Sequence, residues 1–217
     1  MLEVEKGWLK GPLAWDEVPV TAPVSKRFGL MQKHRIRLID DFSESSVNDT
    51  VSVAETPKLH TVDIACSALA FWFSQCASTR VEPVLVARAF DLSSAYRQVA
   101  ANASGRNRAC IKGLVSKDWS IFQANILPFG SIKNVHSFLR AARATWWLGV
   151  VGCQFFWSSF FDDYIVFSPP QLGKNSELSA IALFKLLGWI FAQDGGKCKP
   201  FTDTCEALGV VFDLSDW

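Results

Sequence analysis

Apolar and polar positions change period several times along this chain. Residues 25–42 predict a loop followed by a strand, because Arg35, Ile36, Arg37, Leu38 and Ile39 alternate as a half-buried strand does. Residues 1–24 carry Pro12, Pro19 and Pro23 and predict an irregular lead-in, and residues 43–60 are polar and predict a loop. Thr61 is placed to cap a helix running to about Ala77, with Val62, Ala65, Leu69 and Trp72 on one side. Val81 to Phe90 predicts a buried strand that delivers Asp91 at its end, and Ser93 to Val99 a short helical turn. Ile111 to Leu127 predicts two strands around a polar tip at Ser116–Ser120. Pro128 and Gly130 make a turn, and Ile132 to Leu148 predicts a long helix. Phe155–Phe161 and Tyr164–Phe167 predict two aromatic-rich strands separated by Asp162 and Asp163, the spacing of a hairpin. Leu178 to Gln193 predicts an apolar helix stopped by Gly195 and Gly196, and Val210 to Leu214 a last strand.

Mixed helices, strands and hairpins define an α+β class. The 217 residues suffice for one large or two small domains, and 49% hydrophobic with 20% charged residues is a globular composition. The net charge of +1 implies no partner by itself. Its distribution says more. Between Asp91 and Asp162 the only acidic residue is Asp118, against Arg97, Arg106, Arg108, Lys112, Lys117, Lys133, Arg140 and Arg143. Such a stretch suits a polyanion held near carboxylates, or is a solvated basic face. Six cysteines without a C-x-x-C pair, behind a charged start, suit free thiols in a reducing compartment, cytoplasmic or nuclear rather than secreted. The uncharged run Ala144–Phe161 is broken by Gly149, Gly152 and Gln154, so no membrane span is expected.

Asp162 and Asp163 sit together on an otherwise apolar hairpin. Adjacent carboxylates repel, and their charge is costly beside aromatic strands unless something neutralises it. A divalent cation does that, and magnesium prefers carboxylate and phosphate oxygens. Asp91, ending another apolar strand, supplies a third carboxylate. Two metals so held are an arrangement for in-line phosphoryl transfer. A solvated Asp-Asp turn is the other explanation of the pair.

The surrounding segments separate these explanations. AFDLSSAYRQV, LPFGSIKNVHSF and SSFFDDYIVFS occur in this order and resemble the three palm motifs of reverse transcriptases. The first holds Asp91 and, five residues on, Tyr96. The second holds the turn Leu127-Pro128-Phe129-Gly130, and the third holds Phe160-Phe161-Asp162-Asp163. HRIRLIDDFSESSVN is similar to a fingers segment, with Arg37, Asp41, Phe42 and Asn48 in the matching places. GGKCKPF and EALGVVF resemble the later palm segments through Lys197, Leu208 and Gly209. The wording is most similar to gypsy-like and DIRS-like retroelement polymerases. Two departures stand out: Val135 and His136 replace the small residue and proline of many relatives, and no thumb follows.

The resemblance implies a right-hand polymerase fold without its thumb: a lead-in at 1–24, fingers at 25–80 and 111–130, palm at 81–110 and 131–217. It implies an RNA-directed DNA polymerase working on an RNA or DNA template with primer and on dNTPs, with two Mg2+ or Mn2+ ions on Asp91, Asp162 and Asp163. Arg37 and Arg35 would hold the triphosphate, Lys197 would assist the departing pyrophosphate, and Tyr96, Phe129 and Gly130 would shape the nucleotide site. Each has a plainer alternative: a surface strand charge for Arg35, a helix-end cation for Lys197, core aromatics for Tyr96 and Phe129. Competing functions are a non-catalytic remnant that still binds nucleic acid, an RNA-dependent RNA polymerase, and a nucleotide cyclase.

Overall fold

The computed structural model describes residues 2–32, 35–52, 56–102, 106, 110–115, 118–193 and 198–215, excluding the side chains of Arg35, Cys110, Leu114 and Val115. The class is α+β, and the chain forms two compact units that alternate along it: Met1–Thr56 with Ser94–Phe138, and Pro57–Ser93 with Leu139–Trp217.

The first unit is built on one five-stranded sheet. Its order is β1 (Leu9–Leu13), β6 (Asp118–Ala124), β5 (Cys110–Val115), β2 (Val24–Gln32) and β3 (Arg35–Asp41). All neighbours are antiparallel except β2 and β5, which run parallel. The core lies on one face, where Leu9, Ile111, Phe122 and Ala124 pack with Phe42 and Val47. Three expectations differ from the structure here. The lead-in is not irregular: its short helix α1 (Leu2–Glu5) precedes β1, an edge strand with a register shift between Lys10 and Leu13. Pro12 hid that strand, since proline is tolerated in sheets mainly at edges. Glu3 of α1 is ion-paired with both Arg27 and Arg97, and Arg27 in turn grips the buried Asp40, its Nη2 donating to Oδ2 at 3.0 Å. The expected loop before β3 is the strand β2, paired with β3 from Lys26↔Asp41 to Gln32↔Arg35. Nor is β3 half-buried along its length, because Ile36, Arg37 and Leu38 are all exposed. Alternation in a hairpin that reaches away from the core marks two sides without marking which is buried.

The second unit centres on a three-stranded antiparallel sheet in the order β4 (Val86–Asp91), β8 (Asp163–Ser168), β7 (Phe156–Phe160). Helix α2 (Val62–Thr79) and the hairpin of β9 (Thr204–Ala207) and β10 (Val210–Asp213) share one core with it. Ala65 and Leu69 of α2, Ala87, Ile165 and Phe167 of the sheet, and Cys205, Ala207 and Phe212 of the hairpin form that core. The expected apolar side of α2 is the buried one, and Trp72 stacks on Phe156. Thr61 is at the N-cap, but its hydroxyl makes no capping bond; its carbonyl accepts from Ile64 and Ala65 N–H.

The opposite face of the sheet meets helix α3 (Ile132–Cys153), which belongs to this unit from Leu139 onward, and helix α4 (Gly173–Leu186). Trp146 and Trp157 exchange hydrogen bonds, each indole N–H donating to the other's backbone carbonyl at 2.9 and 3.0 Å. Gly149 makes that closeness possible, because a Cβ there would collide with the Trp157 ring. Phe184 of α4 packs against Phe90, Trp157 and Tyr164. Arg88 is buried on this face, paired with Glu177 and lying 4.6 Å from the centre of the Phe90 ring.

Three predicted boundaries move. β4 starts at Val86, not Val81; Val81 and Val84 are exposed, and Pro83 has no N–H to give to a ladder. α3 runs on past Leu148 to Cys153. α4 begins at Gly173 and stops at Gly188, whose φ of +78° supplies the left-handed turn that Gly195 and Gly196 were expected to provide. Those two glycines lie outside the described residues. Five described cysteines, at 66, 76, 153, 198 and 205, are free. Among the described residues no helix is long and apolar enough to cross a membrane.

His60 should give the second unit a measurable pH dependence. Its ring lies edge-on to Trp146 at 4.5 Å, and burial, with Arg143 adding a positive charge, lowers its pKa below the usual imidazole value. The unfolded chain therefore takes up this proton at higher pH than the folded one. Stability should be full above the usual imidazole pKa and fall as pH drops through it toward the lower folded value. Melting curves between pH 7.5 and 5.5 should show a larger loss of Tm for the parent than for His60→Gln. Parallel losses in both proteins would remove His60 as the cause.

Candidate active site

The three aspartates all fall in the second unit. Asp91 ends β4, Asp163 begins β8, and the two are register partners. Directly opposed residues in an antiparallel pair point to the same face, with Cα atoms about 4.5–5.5 Å apart. Behind them on that face, Ala89, Ile165 and Phe167 belong to the apolar core, so the carboxylates mark the end of the sheet where burial gives way.

The hairpin differs by one residue from its expected form. Phe160 pairs with Asp163, so the two-residue loop is Phe161-Asp162, not Asp162-Asp163. Phe161 has a φ of +53°, a conformation unfavourable for a bulky L-residue. Strain of that kind persists only where neighbours hold it. Here the Leu92 N–H donates to the Asp162 carbonyl at 3.0 Å, and the Ala192 N–H donates to the Asp91 carbonyl at 3.0 Å. Tyr164 anchors the next position. It is fully buried, its hydroxyl donates to the Ala142 carbonyl at 3.0 Å, and burial pushes its phenol well above the usual range.

Tyr96, Phe129, Gly130 and Arg37 fall in the first unit. The Tyr96 ring stacks on Phe138 at 4.5 Å and meets Phe129 edge-on at 5.5 Å. Phe138 is fully buried, whereas Phe129 is half exposed. Gly130 has a φ of +114°, and a Cβ there would run into the Asp40 backbone carbonyl. Asn48 locks this turn: its Nδ2 donates to the Gly130 carbonyl at 3.2 Å, and its Oδ1 accepts from the Ile132 N–H at 3.0 Å. One side chain thus closes the turn and satisfies a donor at the start of α3. The helix begins at Ile132 as expected, with Val135 and His136 in its first turns.

Asn48 and Phe138 are the contributors that residue types alone did not reveal. Asn48 holds a motif position without an assigned role, and Phe138 closes the segment LPFGSIKNVHSF. Arg37 is exposed on β3; of Arg35 the backbone is described, pairing with Gln32. Lys197 lies outside the described residues. Several cations of the basic stretch have internal partners, Arg106 among them, its Nε donating to the Ala101 carbonyl at 3.2 Å. Arg97 pairs with Glu3 and lies 4.9 Å from the Trp8 ring, and Arg143 donates to the Lys58 carbonyl at 2.9 Å.

Gly130→Ala should damage the first unit more than an exposed substitution normally does. The new methyl meets backbone at a positive φ, so neither partner can swing aside. A loss of about 1–3 kcal/mol is expected in urea unfolding. A change within about 0.5 kcal/mol, the usual surface value, would refute it.

Hard oxygen donors suit magnesium rather than a softer metal, and like charges opposed across two strands favour a cation between them. Among the described residues, no group of three or more His, Cys, Asp or Glu side chains is arranged to hold a metal ion. The register pair Asp91–Asp163 is therefore the carboxylate set the fold brings together, with Asp162 beside it in the loop.

No family model matches the sequence, and no curated protein matches it. Among solved structures, a foamy viral protease-reverse transcriptase, in complex with double-stranded DNA, matches with a TM-score of 0.71 and 12% identity. The match covers 98% of this chain and 32% of the viral one, so the chain spans about a third of that protein's length. Likeness over nearly the whole chain at this identity shows a reverse transcriptase-like fold.

Proposed function

We propose that this chain is the fingers-and-palm part of an RNA-directed DNA polymerase of a gypsy-like or DIRS-like retroelement. The observation that carries this reading is the register pairing of Asp91 with Asp163 beside the Phe161-Asp162 loop. It supports the reading by bringing together carboxylates from two of the sequence motifs. Two Mg2+ or Mn2+ ions, when bound, would lower the pKa of a primer 3′-hydroxyl and neutralise the triphosphate. Asp91, Asp162 and Asp163 would hold them, with phosphate oxygens of the nucleotide completing the shell, as is usual for magnesium on one or two carboxylates. Arg37, and Arg35 beside it, would grip the β- and γ-phosphates through paired guanidinium bonds. Lys197 would give a proton to the departing pyrophosphate. Gly130 would allow close backbone approach to the nucleotide, and Phe129 would border its sugar.

The partner would be a primer–template duplex with an RNA or DNA template, and the substrates dNTPs. The test is primer extension on an RNA template with magnesium or manganese, using this chain fused to a thumb domain. Metal-dependent incorporation of dNTPs supports the proposal. Salt-sensitive binding of primer–template with no incorporation would instead favour a nucleic-acid-binding remnant.

A further inference from the structure

Glu3 belongs to the short helix α1, outside every segment that resembles a polymerase motif. Its carboxylate is nonetheless largely buried, one oxygen paired with Arg97 and the other with Arg27. Arg27 continues the row, its Nε and Nη2 donating to the two carboxylate oxygens of Asp40. Two guanidiniums and two carboxylates therefore alternate as Arg97–Glu3–Arg27–Asp40, and each inner member serves two neighbours. Removing an inner member of such a row leaves a buried partner without its counter-charge.

Both ends of the row reach residues that the resemblance implies shape the nucleotide site. Arg97 follows Tyr96 on the four-residue turn Ala95–Gln98, which opens at Ser94 with a φ of +55°. A residue other than glycine keeps that conformation only where its surroundings hold it. The Arg97 side chain is held twice, by Glu3 and by the Trp8 ring 4.9 Å away. Trp8 is itself set by α1, its N–H donating to the Glu3 carbonyl at 2.9 Å. At the other end Asp40 is 3% exposed, and its backbone carbonyl is the atom that a Cβ on Gly130 would strike. The two ends meet again where the Leu127 N–H donates to the Val99 carbonyl at 2.9 Å and where Tyr96 touches Phe129. A misplacement of about 1 Å caused far from a reacting centre is enough to change its kinetics.

We propose that Glu3 is a positioning residue for nucleotide selection: through Arg97 it fixes the turn that carries Tyr96, and through Arg27 and Asp40 the backbone on which Gly130 rests. The inference rests on the polymerase reading and on Tyr96 bordering the sugar. Two measurements test it. Hydrogen exchange of the amides of residues 95–99, followed in the chain itself, should be faster in Glu3→Gln than in the parent. In the chain fused to a thumb domain, Glu3→Gln should lower the ratio of kcat/KM for a matched dNTP and rNTP roughly three- to tenfold, with kcat for the dNTP little changed. Glu3→Asp, which keeps the charge, should recover part of the ratio, and Glu5→Gln on the same helix should leave it alone. Arg97→Gln, which cuts the row at its more exposed end, should give the same fall as Glu3→Gln. In a Tyr96→Ala background Glu3→Gln should change the ratio no further, because the ring it positions is gone. An unchanged ratio in Glu3→Gln and Arg97→Gln, equal slowing of both nucleotides, or the same fall in the Tyr96→Ala background overturns the proposal. A parent that incorporates no nucleotide ends the polymerase reading and this one with it; a parent that extends while the ratio stays fixed ends this one alone.

Discussion

Asp91→Asn and Asp162→Asn should each abolish metal-dependent primer extension, by roughly a thousandfold or more, while the chain stays folded. A lost metal ligand removes several kcal/mol of transition-state stabilisation, and each 1.36 kcal/mol is about tenfold in rate. Asp91 faces Asp163 across two strands, so replacing it by a neutral isostere relieves a like-charge contact worth about 0.2–1 kcal/mol. Tm without metal should therefore hold or rise as activity disappears. A structural role for the aspartates predicts the reverse: extension and Tm would fall together. Extension by either variant at the parent's rate would end the assignment of that residue as a metal ligand.

The three-stranded sheet of the second unit was legible because burial and chemistry coincide in it. Apolar runs bounded by aspartate read as buried strands: β4 ends in Asp91, β7 leads into the Phe161-Asp162 loop, and β8 begins with Asp163. The turn Leu127–Gly130 and the start of α3 were equally plain, since proline, glycine and a new helical period meet there. What stayed hidden depended on partners distant in sequence. β1 contains Gly11 and Pro12 and exists as a strand because β6 pairs with it. The true hairpin loop, Phe161-Asp162, is set by the pairing of Phe160 with Asp163, which overrides the usual liking of aspartate for turn positions. Asn48 is 82 residues from the carbonyl it holds, and no local pattern points across that distance. Gly188, at a positive φ, ends α4 ahead of the Gly195-Gly196 pair.

Tyr96→Ala should lower the preference for deoxynucleotides over ribonucleotides in the thumb-completed protein. The resemblance to reverse transcriptases implies that Tyr96, five residues after Asp91, would act as a steric gate whose ring excludes a ribose 2′-hydroxyl. A gate must not yield, and the packing of Tyr96 meets that condition. Its ring is stacked on fully buried Phe138 and braced edge-on by Phe129. Forcing an extra group into a site that cannot relax costs about 1–3 kcal/mol, so the ratio of kcat/KM for a matched dNTP and rNTP should fall roughly ten- to a hundredfold. Tyr96→Phe keeps the ring and should keep the ratio. A tyrosine that only fills the core behaves differently: Tyr96→Ala would cost stability and slow both substrates alike, with the ratio unchanged. An unchanged ratio in a folded Tyr96→Ala protein removes Tyr96 as the gate. A parent that already prefers ribonucleotides would overturn the DNA-polymerase assignment itself.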